Sequence, residues 1–126
     1  MKNLTVLILL VLSIAWGCVT MPTQSEISNL DCGSYPHDYE AIVKAYYNEV
    51  LFDPYSAQYE FTPPKTSWYK EAPLAGGRLL AGYLVVVRVN AKNRMGGYVG
   101  KKTSGFLLNN GQIIKRFDEY DLRNIK

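Results

Sequence analysis

The chain has 126 residues, room for one modest domain, with a formal charge of +3, 48% apolar and 13% aromatic residues. Fourteen basic against eleven acidic residues is a near-balanced surface, which excludes the strongly cationic footprint of a nucleic-acid binder. One histidine and two cysteines leave little material for a metal centre, and no ligand spacing or cofactor motif stands out.

The first residues differ in kind from the rest. Met1, Lys2 and Asn3 make a short positive start, and residues 4–16 form an apolar run broken only by Thr5 and Ser13. That is the build of an export signal, shorter than the roughly 20 apolar residues a membrane span needs. Ala15-Trp16-Gly17-Cys18 resembles the lipobox, where bacterial lipoprotein signals are cut ahead of a cysteine that takes lipid on its thiol. Trp16 is bulkier than the residue usual at that place. Residues 1–17 are therefore expected to be a lipoprotein signal peptide and Cys18 the lipidated residue, tying the protein to a lipid bilayer. Buried acyl carbons contribute about 0.8 kcal/mol each, and more than one chain makes the anchor stable. A Cys18–Cys32 disulfide competes for the same sulfur: export permits oxidation, and closing a loop of about 15 residues is worth roughly 3 kcal/mol. The position of Cys18, directly after the apolar run, favours lipid. Val19 in place of an aspartate points, in a Gram-negative envelope, to the periplasmic face of the outer membrane.

Cleavage at that point leaves 109 residues carrying a charge of +2. Residues 18–34 read as a flexible tether, with Pro22, Gly33 and several Ser, Thr and Asn and no sustained periodicity. Coil statistics give such a spacer a reach of about 20–25 Å. Residues 35–126 read as a single domain. A helix is expected from Pro36, because proline suits the first helical position, while Asp38 and Glu40 complement the helix dipole. Tyr39, Ile42, Val43, Tyr46 and Val50 form its apolar stripe. Pro54 stops it, since a proline disfavours helical geometry in the residue before it.

Strands follow. Residues 58–62 alternate polar and aromatic side chains up to Pro63-Pro64, and residues 67–70 suggest another short strand. Residues 78–89 place Leu79, Ala81, Tyr83, Val85, Val87 and Val89 on one face; Leu80, Leu84 and Val86 make the other face apolar too, as in a central strand. Residues 98–108 and 112–117 complete the set, joined by Asn110-Gly111, a strong type I′ hairpin signal. The fold class is thus expected to be α+β: one N-terminal amphipathic helix packed on an antiparallel sheet of about 4–5 strands. The charged tail, residues 118–126, is expected to fray unless Tyr120, Leu122 and Ile125 pack.

Two stretches stand apart, Asp53-Pro54-Tyr55-Ser56-Ala57-Gln58-Tyr59 and Val89-Asn90-Ala91-Lys92-Asn93-Arg94-Met95-Gly96-Gly97-Tyr98-Val99-Gly100. Read physically, Asn90 and Asn93 suit turns, and Gly96-Gly97 permits positive φ, a bulge or close backbone approach. Such a loop either connects two strands or presents Asn93, Arg94 and Tyr98 to a partner. Together the stretches resemble a family of small, poorly characterised bacterial envelope lipoproteins with "DPxSA-x-aromatic" and "VNAKNxxGGYxG" motifs. The resemblance covers roughly residues 35–114 and implies a bacterial envelope setting without bringing a reaction or a ligand.

Arg88, Lys92, Arg94, Lys101 and Lys102 fall in a stretch with no acid. They form either a basic edge for an anionic partner or lysines that guard a sheet edge against aggregation. The candidate binding residues are accordingly Arg88, Asn90, Lys92 and Asn93, followed by Arg94, Gly96, Gly97 and Tyr98. No catalytic set is expected. Cys32 and His37 are near in sequence and give a thiol-dependent enzyme as a minor alternative. The sequence points instead to a non-enzymatic binding or accessory lipoprotein, meeting an envelope protein or cell-wall polymer. A small inhibitor or immunity protein against an exported enzyme is the rival.

Overall fold

The computed structural model describes residues 21–123 and Ile125; the expected signal peptide and Cys18 lie outside the described residues. The architecture is α+β, built on a five-stranded antiparallel sheet. In chain order the elements are α1 (Gln24–Ser28), α2 (Tyr39–Val50), β1 (Gln58–Phe61), β2 (Lys65–Lys70), β3 (Leu79–Asn90), β4 (Lys102–Asn109), β5 (Gln112–Asp118) and α3 (Glu119–Leu122).

The long strand β3 is central because both of its faces are apolar, and it takes partners on both sides. β4 pairs along residues 83–89, and β5 continues outward from β4. On the other side β1 pairs with residues 87–90 and β2 with residues 79–84, so the two share one flank of β3. Between them, residues 62–64 stand opposite residues 85–86, one residue more than the ladder needs. Pro63 and Pro64 have no N–H to offer, and Thr62 fills the gap. Its backbone N–H donates to the Val86 carbonyl at 2.9 Å, and its Oγ1 accepts from the Val86 N–H at 3.1 Å. Prolines at this outer position also blunt an exposed sheet edge.

The core lies between one sheet face and α2. Val43 and Tyr47 of the helix meet Val85, Val87 and Val89 of β3 and Phe106 and Leu108 of β4. Tyr46 and Tyr47 both approach the Phe106 ring edge-on, at 5.2 and 5.8 Å. Fully burying a valine, leucine or phenylalanine side chain contributes about 1.5–3 kcal/mol, so this cluster is the main source of stability. On the opposite face Leu107 and Phe117 are buried, the Tyr69 ring lies 5.1 Å from Phe117, and Leu122 of α3 packs over Gly105.

Several local expectations change. The helix starts at Tyr39 and not at Pro36, because residues 35–38 form a turn in which the Tyr39 N–H donates to the Pro36 carbonyl. Part of the expected tether is structured. Thr23 and Glu26 cap α1 reciprocally, and Asp31 and Ser34 hydrogen-bond to Asn109 and Asn110 of the β4–β5 hairpin. The strand expected from residue 98 begins only at Lys102; Tyr98 makes one isolated bridge to Lys92. Of the two outcomes left open for the tail, packing holds in part: residues 119–122 form α3, which packs through Leu122. The hairpin turn has Asn110 at φ +48° and Gly111 at φ +75°, the backbone a type I′ turn requires.

Candidate functional site

The loop after β3 and the turn after α2 are far apart in sequence and meet at Ser56. Pro54–Ser56 is a single 3₁₀ turn, its start capped by Asp53, whose carboxylate accepts from the Ser56 N–H at 3.3 Å. The Ser56 hydroxyl donates to the Asp53 carbonyl at 2.8 Å and accepts from the Lys92 N–H at 2.8 Å. The Tyr98 hydroxyl donates to the Ser56 carbonyl at 3.1 Å. One serine thus fastens the turn to both arms of the loop.

The loop itself is closed by Asn93. Its side-chain oxygen accepts from the N–H groups of Met95 and Gly97 at 2.9 and 3.2 Å. Its backbone N–H donates to the Gly97 carbonyl at 2.9 Å, and its carbonyl accepts from the Gly96 N–H at 3.0 Å. Gly96 has φ +77°, a conformation that side chains disfavour, and Gly97 does not share it. Farther along, the Asn90 side chain accepts from the Gly100 N–H at 3.1 Å, holding together the two ends of the excursion. Met95 is 93% exposed at its tip.

The five cations of this region divide into two groups. Arg88 and Lys101 both reach Glu60, Arg88 at 4.0 Å, on the sheet face away from α2. Arg88 is thereby separated from the other candidate binding residues, because strand alternation turns it away from Val87 and Val89. Hydrogen bonding and charge from Lys101 hold the Glu60 carboxyl below its ordinary range. Lys92, Arg94 and Lys102 stay on the helix side. The Lys92 ammonium sits 5.6 Å from the Tyr98 ring centroid, and the Arg94 guanidinium 5.6 Å from that of Phe52.

Beside the loop lies a cleft of about 310 Å³ that the sequence alone does not reveal, since it draws on α2, β3, β4 and β5 together. Its apolar walls include Leu51, Phe52, Val89, Ala91 and Val99. Lys92, Lys102 and Arg116 supply three cations, and Tyr47 and Ser104 line it as well. Burial raises the Tyr47 phenol above its ordinary pKa, partly offset by a hydrogen bond with Ser104. Arg116 belongs to this site although its position on a strand after the hairpin gave no signal.

Cys32 is half-buried in a separate cleft with Ile27, Leu30 and Trp68, and the His37 ring packs 4.9 Å from that of Tyr35. No hydrogen bond joins Cys32 to His37 among the described residues. Among the described residues, no three His, Cys, Asp or Glu side chains are grouped to hold a metal ion, and no helix is long and apolar enough to cross a membrane. Compared with known proteins, the chain matches no family model, no curated protein and no solved structure.

Proposed function

We propose that this protein is a lipid-anchored bacterial envelope lipoprotein that binds a partner without catalysing a reaction. Cys18 is the anchor, held at the outer membrane's periplasmic face, and the loop over residues 90–100 with its neighbouring cleft is the binding surface. The partner is an envelope protein or cell-wall polymer. The resemblance to small envelope lipoproteins belongs to the same proposal, and in it α2 is the amphipathic cover of the sheet that backs the cleft.

The observation that carries the reading is the meeting of the two motifs on Ser56. A loop serving only to join β3 to β4 would not require a second turn, some 36 residues earlier, to hold it. Fastened in this way, the loop presents Arg94 and the exposed Met95 with little further ordering to lose on binding, which is how preorganisation raises affinity. The same stiffness is what favours the second reading, a small inhibitor that inserts this loop into an exported enzyme.

Two measurements test the proposal. Mass spectrometry of the protein from membranes is expected to find acyl chains on Cys18, and Cys18→Ala is expected to release the protein from the membrane fraction. A soluble form with a Cys18–Cys32 bridge overturns the anchor. A photoreactive residue at position 94 is expected to capture one specific envelope component; a tight one-to-one complex with a hydrolase selects the inhibitor reading, and no capture overturns the binding role.

A further inference from the structure

We infer that the cleft beside the loop takes the carboxy-terminal end of a partner polypeptide. A large apolar last side chain lies against Leu51, Phe52 and Val99, and the terminal carboxylate lies among Lys92, Lys102 and Arg116. The inference deepens the binding role proposed above and rests on it.

Size is the first argument. Sites for small ligands span about 300–1,000 Å³, and this cleft of about 310 Å³ stands at the lower end. It holds the end of a chain, not a folded segment.

Charge is the second. The lining contains three cations and no carboxylate. Asp118 pairs with Arg116 at 2.8 Å but is itself largely exposed, and neither Lys92 nor Lys102 has a carboxylate partner among the described residues. Strand register puts Lys102 opposite Val89 and Arg116 opposite Phe106, so both side chains stand on the α2 face of the sheet. Cations gathered beside an apolar wall favour an anion, and a carboxylate takes charge-assisted hydrogen bonds from both guanidinium and ammonium groups.

The apolar wall decides between sources of that carboxylate. Phe52 is 65% exposed and Val99 55%, large surfaces left in water around a concave site. Covering them returns about 25 cal/mol per Å² of apolar area. A leucine- or phenylalanine-sized side chain covers them, whereas the methyl groups of alanine-ended cell-wall peptides leave most of the wall wet. A protein C-terminus with a large apolar last residue therefore fits better.

The test uses the full-length chain in detergent micelles, followed by the amide NMR shifts of Phe52, Ala91, Val99 and Lys102. It is titrated with acetyl-Gly-Gly-Leu as the free acid, the same peptide as its C-terminal amide, an acetylated peptide ending in D-Ala-D-Ala, and octanoate. The leucine acid is expected to shift these amides and to bind at least about tenfold more tightly than each of the other three. Lys102→Gln with Arg116→Gln is expected to reduce acid binding to the level of the amide. Equal binding of acid and amide overturns the inference, as does an absence of shifts at about 5 mM, where a 1 mM site is mostly filled. Tighter binding of the D-Ala-D-Ala peptide gives the site to cell-wall peptide, and octanoate matching the leucine acid gives it to any anionic amphiphile; either overturns the inference. Capture of a protein from position 94 without any carboxylate preference removes this inference and leaves the binding role standing. Carboxylate preference without any captured component removes the partner-binding role and, with it, a partner polypeptide as the occupant, leaving only a carboxylate-preferring cleft.

Discussion

Gly82 and Gly105 lie on neighbouring strands and face the same side of the sheet, yet a methyl group meets different things at each. At Gly82 it presses on the carbonyl of Leu108, a backbone group held in the ladder between β3 and β4. At Gly105 it meets the end of the Leu122 side chain, which belongs to a four-residue helix and can turn aside. Overpacking costs about 1–3 kcal/mol, and the ability of the neighbour to move sets where in that range a substitution falls. Gly82→Ala is expected at about 3 kcal/mol and Gly105→Ala at about 1 kcal/mol, measured by urea unfolding. Hydrogen exchange should show α3 loosened only by the second. Equal losses would mean that α3 is held more firmly than this packing implies. At the same scale Ser56 carries no site signal in the sequence: a small polar side chain shortly after a proline reads as ordinary turn chemistry, and only its distant partners make it a clasp.

At the scale of elements, the chain before α2 is attached more closely than its composition suggests. The Asn109 side-chain amide donates to the carbonyls of Asp31 and Ala81, at 3.0 and 2.9 Å, joining residues 31–34 to the hairpin and to β3. Asn109→Ala is expected to cost about 2 kcal/mol, roughly 1 for each of the two bonds lost, and to speed hydrogen exchange and proteolysis at residues 31–34 while leaving β3 protected. Unchanged exchange there would mean that other contacts hold the segment. Strands were legible because β-branched residues, alternation and Asn110-Gly111 are local signals. Boundaries were less so. β4 starts four residues late because the Gly100 N–H is taken by the Asn90 side chain and the Tyr98 hydroxyl is tied to the Ser56 carbonyl, interactions that draw the chain out of the sheet ladder and leave no trace in periodicity.

Over the whole molecule, acidity should weaken the fold through paired carboxylates. The Arg78 side chain donates to both oxygens of the buried Glu71 carboxylate, at 2.8 and 3.0 Å, and this hydrogen bonding holds the Glu71 carboxyl below its ordinary range. Lys101 does the same for Glu60. A depressed pKa contributes stability that is present above the unfolded value, about 4.3 for glutamate, and is lost as pH falls through the lower folded value. Thermal unfolding between pH 6 and pH 3 is therefore expected to show a falling midpoint, with a shallower fall in Glu71→Gln. An identical slope in that variant would place the acid sensitivity elsewhere.

The sequence by itself determined the α+β class, the helix α2 and the strands of the sheet, because hydrophobic period, prolines and turn residues act over a few positions, whereas the short helices α1 and α3 gave no such signal. It also marked the two motifs, and it supplied the expectation of a lipid anchor at Cys18. Tertiary structure decided which of the candidate residues stand together. It turned Arg88 toward Glu60, brought Arg116 beside Lys92 and Lys102, and fastened the loop to a turn some 36 residues away. Those outcomes depend on sheet register and on which face α2 covers, and a shift of one residue in register would exchange every side chain between the two faces.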